Sequence, residues 1–166
     1  CEWLMIDSTV VRAHQHSAGA RAGQGAQAFG RSRGGFSGKI HLMVDALGYP
    51  MHFIITGGES ADCTQAPALL KQCEQAVQAV IADKGYDSNT VREGVMQQAN
   101  EAVIPSKSNR KETIPHDKLL YAARHLVENT IGKLKHNRRL ATRYDKTVSS
   151  FAAFVNLAWI KMYLVN

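Results

Sequence analysis

The sequence predicts an α/β domain built on a mixed sheet flanked by helices. Three observations predict it. Short apolar, β-branched runs recur as "EWLMIDSTVV" (2–11), "AVIAD" (79–83) and "EAVIPS" (101–106). A stretch at 39–60 alternates in polarity and is broken by "ALGYP", the pattern of a hairpin. Segments of helical length and pattern follow at 61–76, 88–100, 117–137 and 149–164. The order β, hairpin, α, β, α, β, α, α gives five strands. The first three can be antiparallel neighbours, and the last two enter through helical crossovers and so run parallel to theirs.

Each element has a local reason. Residues 2–11 are apolar and β-branched, so they read as a strand. Residues 17–38 hold seven of the thirteen glycines and no aliphatic residue larger than alanine, so they read as a mobile basic loop. Ser88 is placed to cap the helix that follows it. Residues 109–119 read as a polar connection. On 117–137, Leu120, Ala123, Val127, Ile131 and Leu134 form one stripe. Tyr121, Arg124, Glu128 and Lys135 form a second, beside the apolar one.

The bulk numbers bound the function. A chain of 166 residues suits a single domain with its own core. No stretch of 18 uninterrupted apolar residues occurs, so no membrane span is expected. The first residues lack the basic start and cleavage site of a signal peptide. The chain starts at Cys1 rather than at Met, and the expectation is that a segment is missing in front of it. Cys1, Cys63 and Cys73 make no zinc spacing, and their odd number suits a reducing cytoplasm better than a disulfide framework.

The net charge of +6 lies in one half of the chain. Residues 1–76 balance at six basic and six acidic side chains, while 77–166 carry fourteen against eight. Segment 133–146, "KLKHNRRLATRYDK", has six basic residues and only Asp145 against them. From Ser8 to Val44 there is no acid at all, yet Arg12, Arg21, Arg31, Arg33 and Lys39 fall there. Such densities suit a polyanionic partner, although a charge run can also be a solvated face.

Two carboxylates carry the chemistry. Asp7 and Asp83 each stand where an apolar strand gives way to a loop. Ligands of open α/β sheets collect at such strand ends. Two acids on adjacent strands repel unless a cation lies between them, and Mg²⁺, a hard cation with oxygen ligands, suits that place. Glu128 can supply a third carboxylate from its helix. Turn capping by the aspartates and an i, i+4 ion pair of Arg124 with Glu128 are the alternatives. Asp45 and Asp87 are expected to serve turns and caps, and His41 and the pair His14 and His16 to be structural. Two Asp and one Glu around two metal ions suit in-line phosphodiester displacement.

The segments "MIDSTVVRAHQHSAGA", "GRSRGGFSGKIHLMVDALGYP", "VIADKGYDS" and "RHLVENTIGKLKHNRRLATRYDK" resemble the catalytic domain of DDE transposases of bacterial insertion sequences, of the insertion-sequence-five type. The pattern Tyr-x2-Arg-x3-Glu-x6-Lys fits Tyr121, Arg124, Glu128 and Lys135 without a gap. The resemblance implies an RNase H-like fold, with Asp7 on the first strand, Asp83 after the fourth and Glu128 on a late helix. It implies that these three acids are catalytic and hold two Mg²⁺ ions, for which Mn²⁺ can substitute. Tyr121, Arg124, Lys135 and Lys84 are then expected around DNA phosphates or around Glu128. Arg31, Arg33, Lys133, Arg138, Arg139 and Arg143 are expected on the DNA backbone. The implied activity is metal-dependent cleavage at transposon ends and transfer of the freed 3′-hydroxyl into target DNA, by a homodimer in the bacterial cytoplasm on the nucleoid. Two other readings stay open: a stand-alone RNase H-like nuclease, and a DNA-binding remnant whose catalysis has lapsed. Members of the group usually carry an N-terminal DNA-end-binding region, which is absent from these residues. The chain is therefore expected to be a second-frame product, a truncation or an inactive remnant.

Overall fold

The computed structural model describes residues 2–17 and 25–164. The strands are β1 (Trp3–Ala13), β2 (Gly30–Ser32), β3 (Gly35–Asp45), β4 (Pro50–Gly57), β5 (Val77–Ala82), β6 (Ala99–Val103) and β7 (Thr142–Arg143). The α-helices are α1 (Asp62–Leu70), α2 (Asn89–Met96), α3 (Lys118–Ala122), α4 (His125–Lys135), α5 (Arg138–Ala141) and α6 (Val148–Leu164). The strands join in the order β2-β3-β1-β5-β6, with β4 on β3 and β7 on β1. The expected mixed sheet with helices is present. It has seven strands among the described residues rather than five, the additions being the short β2 and β7.

Centrality in the sheet explains the sequence of its strands. Leu4, Met5 and Ile6 of β1 are consecutive and at most 1% exposed. In β5, Ala79 to Ala82 are likewise buried. A strand covered on both faces needs continuous rather than alternating apolar residues. β1 pairs with β5 in parallel, and β5 with β6 in parallel. Parallel neighbours need a crossover, and α2 supplies the one between β5 and β6. Ser88 caps α2 by accepting from the Val91 N–H at 3.2 Å, as the sequence suggested. Asp45 holds the β3–β4 turn, its Oδ1 accepting from the Leu47 and Tyr49 N–H groups at 2.9 Å.

Three expectations change. The loop over 17–38 does not extend through Gly38. Residues 18–24 lie outside the described residues, but 30–37 form a β2–β3 hairpin that turns at Arg33 and Gly34, and Gly35, which opens β3, has a φ of +94° that favours glycine. The helix expected at 61–76 ends at Leu70. The helix expected over 117–137 is divided into α3 and α4. At the break the Ala123, Arg124 and Leu126 N–H groups bond three residues back, to Leu120, Tyr121 and Ala123. That tighter winding re-aims the chain between the two helices.

The chain divides into two compact units. One comprises Cys1–Asp7, Leu42–Phe53 and Ala61–Asn129; the other Ser8–His41, Ile54–Ser60 and Thr130–Asn166. Among the described residues no helix is long and apolar enough to cross a membrane.

Candidate active site

All three predicted acids lie in the first unit. Asp83 directly follows β5, as expected, but Asp7, expected at the end of its strand, lies inside β1, which runs on to Ala13 and pairs there with β7. The β1–β5 register runs Trp3↔Ala79 through Ile6↔Ala82. The next step of that ladder places Asp7 beside Asp83, with parallel strands about 4.8 Å apart. The Asp83 carboxylate accepts from the Gly85 N–H at 2.7 Å and so begins a short 3-10 turn at Lys84–Tyr86. A Cβ on Gly85 would stand 2.8 Å from that carboxylate and would push the capping oxygen aside.

Arg124 gathers the acids. Its Nη1 donates to Asp7 Oδ2 at 2.7 Å, and its Nη2 donates to Glu128 Oε1. Glu128 lies in the first turn of α4, one helical turn beyond Arg124, which stands at the α3–α4 break. Burial by itself lowers the Arg124 pKa, but Asp7 and Glu128, with Tyr121 and Asp83 behind them, raise it above its ordinary value. A partly buried cation thus stands among three carboxylates. The Asp7 and Arg124 side chains are only 16% and 20% exposed, whereas Glu128 is half exposed at 52%. The i, i+4 pairing of Arg124 with Glu128, one of the alternatives in the sequence, is present. It occurs together with the contact to Asp7 rather than instead of it.

Among the described residues no three acids converge tightly enough to hold a metal ion between them. The donor set nevertheless has the right chemistry: hard carboxylate oxygens, two of them from adjacent parallel strands. Two of the three, Asp7 and Glu128, are bonded to the Arg124 guanidinium.

The other predicted residues fall into two groups. Tyr121 is on α3, half-buried, with its ring edge-on to His116 at 5.4 Å. Lys84 is exposed beside Asp83. Lys133 and Lys135, in the last turn of α4, and Arg138 belong to the second unit and are exposed. Arg31 and Arg33 are exposed on the β2–β3 hairpin. Arg139 lies over the Phe154 ring at 4.4 Å and pairs with Asp145 at 3.2 Å, yet remains half exposed.

Arg143 is a correction. It was expected on the DNA backbone, but it is 0% exposed. Its guanidinium lies 3.7 Å from the Phe29 ring centre and 4.8 Å from that of Phe151. It donates to the carbonyls of Gln27, Ala28 and Asp145 at 2.8–3.1 Å. Burial lowers its pKa to about 10, so it is still charged at neutral pH. Its work is to join the segment before β2 to β7 and α6.

Sequence reasoning also passed over the network around Asp87, expected only to serve a turn or cap. Its side chain, 1% exposed, accepts from Arg92 Nε at 2.8 Å, Arg110 Nε at 3.1 Å and the Lys107 N–H at 2.8 Å. Arg92 continues to the Ile104 carbonyl at 2.6 Å. The spacing of Asp87 and Arg92 was available as a signal, but Lys107 and Arg110 are about twenty residues away and carry no pattern. The structural reading of the histidines agrees with what is seen. His41 is buried with its Nε2 2.9 Å from Thr56 Oγ1, and the His14 ring stacks on Tyr144 at 4.5 Å.

A family model described as a transposase DDE domain matches residues 3–162. This chain belongs to the DDE-domain transposases. It is 35% identical over 127 residues to a protein of Brucella ovis named as a transposase for insertion sequence element IS6501, covering 76% of this chain and 97% of that one. It is 32% identical over 129 residues to a protein of Burkholderia cepacia named as a transposase for insertion sequence element IS402. That match covers 72% of this chain but only 59% of the relative. A cryo-EM structure of the piggyBac transposase synaptic complex with hairpin DNA is similar at 15% identity and a TM-score of 0.44, over 69% of this chain and 25% of that one.

Proposed function

We propose that this transposase domain cuts DNA at transposon ends and joins the freed 3′-hydroxyl to target DNA, using Asp7, Asp83 and Glu128 as metal-holding carboxylates. The single observation that carries this is the gathering of those acids: Asp7 and Asp83 in neighbouring register, and Glu128 joined to Asp7 through Arg124. Mg²⁺, or Mn²⁺ in its place, would supply activation of the attacking water or hydroxyl and stabilisation of the departing oxygen.

The chain's own residues do the rest. β1 and β5 fix two carboxylates side by side, so little ordering is left for binding. Glu128, half exposed on a helix, closes the set. Arg124 neutralises Asp7 and Glu128 until they are needed. Once released, its planar fork suits a phosphate oxygen pair. Tyr121 and Lys84 stand on the same unit to steady the scissile strand. Lys133, Lys135, Arg138 and Arg139 meet backbone phosphates and so position DNA without reading sequence. Two ends brought together need two such domains, so a homodimer on the nucleoid is the working assembly.

A labelled pre-cut end, a plasmid target and Mg²⁺ test the reading. Strand transfer is expected from the wild-type chain and not from Asp83→Asn. Glu128→Gln is expected to lose at least about 10³-fold in cleavage while keeping the wild-type melting temperature. Cleavage by Glu128→Gln at the wild-type rate would falsify the assignment of the acids.

A further inference from the structure

The second unit holds a groove of about 630 Å³ whose lining includes Val10, Arg12, Arg31, Ser32, Arg33 and Glu59. Val10 and Arg12 are two apart on β1, so they share one face, and both are exposed. Arg31 and Arg33 come from the β2–β3 hairpin and are exposed too. Among the described residues, none of the three arginines has an acidic partner. The Arg12 guanidinium lies against the hairpin turn: its Nε is 3.4 Å, and its Nη2 3.7 Å, from where a Cβ on Gly34 would stand. The carboxylate of Glu59 lies over the backbone in space left by Gly30 and Gly57. Its Oε2 is 1.3 Å from the Cβ position of the first and 2.6 Å from that of the second.

Three guanidiniums around one open groove, with no acid to neutralise them but the unpaired Glu59, form a receptor for repeated negative charge. Arginine forks match phosphate geometry. The three guanidiniums come from two elements, β1 and the β2–β3 hairpin, and the apolar Val10 is part of the same lining. A polymer that presents successive phosphates can engage all three. We infer that this groove is a second DNA-backbone site, holding the phosphates of duplex DNA between Arg12, Arg31 and Arg33, with Glu59 as a built-in repulsive charge that keeps the grip loose. The inference rests on the reading of this chain as a DNA enzyme. It adds Arg12 and Glu59 to the residues that meet DNA and makes one site of Arg31 and Arg33.

The test is binding of a labelled duplex, with EDTA present so that the metal site is silent, followed by fluorescence anisotropy across a NaCl series. The triple variant Arg12→Gln, Arg31→Gln, Arg33→Gln is expected to weaken binding on the order of 10- to 100-fold. It should also flatten the slope of log affinity against log salt by about 2 to 3, close to one for each phosphate that is no longer neutralised. Lys71→Gln, Lys111→Gln, Lys118→Gln removes the same charge from exposed positions elsewhere and should change the slope by less than about 1. Glu59→Gln should tighten binding several-fold, and this gain does not depend on the triple variant folding well. An unchanged slope in the arginine variant, an equal change in the lysine variant, or no gain from Glu59→Gln overturns the groove while leaving DNA binding intact. A wild-type chain that binds no duplex at all overturns the DNA reading itself.

Discussion

Arg124 is the side chain on which the site turns. Its guanidinium bonds Asp7 and Glu128 at once, so a metal drawn to those carboxylates would have to displace it. Substituting it separates two roles. If it competes, Arg124→Gln binds Mg²⁺ more tightly by roughly 3- to 10-fold in calorimetry, the scale of one partly exposed ion pair. The same variant should cleave more slowly, because the phosphate fork is gone. Weaker Mg²⁺ binding by this variant would mean instead that Arg124 orders the acids. Asp87 shows the other use of a carboxylate in the same unit. Desolvation alone raises its pKa, yet the Lys107 N–H, Arg92 and Arg110 outweigh burial and hold it below 3.8. Asp87→Asn leaves Arg92 buried without its counter-charge and is expected to cost about 3 kcal/mol, lowering the melting temperature by roughly 6–12 °C.

At the scale of elements, the break between α3 and α4 and the clamp by Arg143 matter most. A continuous helix would carry Tyr121, Arg124, Glu128 and Lys135 as one stripe. The tight turn at Ala123 and Arg124 instead starts α4 afresh, and it places Arg124 where its two nitrogens face Asp7 and Glu128 separately. In the second unit Arg143 joins β7 to Phe29, Phe151 and three carbonyls. Arg143→Leu keeps some volume but orphans those carbonyls and ends the cation–π contacts. At least about 3 kcal/mol of destabilisation is expected, read as a loss of thermal stability with no specific change in salt dependence. A phosphate-binding arginine would give the opposite pattern: an unchanged melting temperature and a flatter salt slope.

For the molecule as a whole, pH and charge set the working range. Asp87 has a folded pKa below its unfolded value of 3.8. The folded state therefore binds its proton less readily than the unfolded state does. Its stabilising contribution is present above about pH 4 and is lost as pH falls through the folded pKa. The melting-temperature gap between wild type and Asp87→Asn should then be full at pH 6 and shrink on acidification toward pH 3. A gap that stays constant would show that the Asp87 carboxylate adds nothing in its charged form. The overall charge of +6 acts at longer range and would draw in a polyanion such as the proposed DNA substrate at low salt, and less so as salt screens it.

The amino-acid sequence by itself determined the class of fold, the place of Asp83 just after a buried strand and the glutamate on a late helix. Those features are local: continuous apolar runs such as Leu4–Ile6 declare a buried central strand. Asp7 does not end its strand, because the later part of β1 pairs with the distant β7. The caps of Ser88 and Asp45 were legible for the same reason, since each binds backbone only a few residues away. Only the tertiary structure decided what lies far apart in the chain. It set Asp7 beside Asp83 across 76 positions of sequence and put Arg124 between Asp7 and Glu128. It buried Arg143 under two phenylalanines, where the basic run at 133–146 had pointed to an exposed phosphate contact. A side chain's charge is written in the sequence, but whether that charge meets water, a carboxylate or a carbonyl depends on which distant segments fold against it.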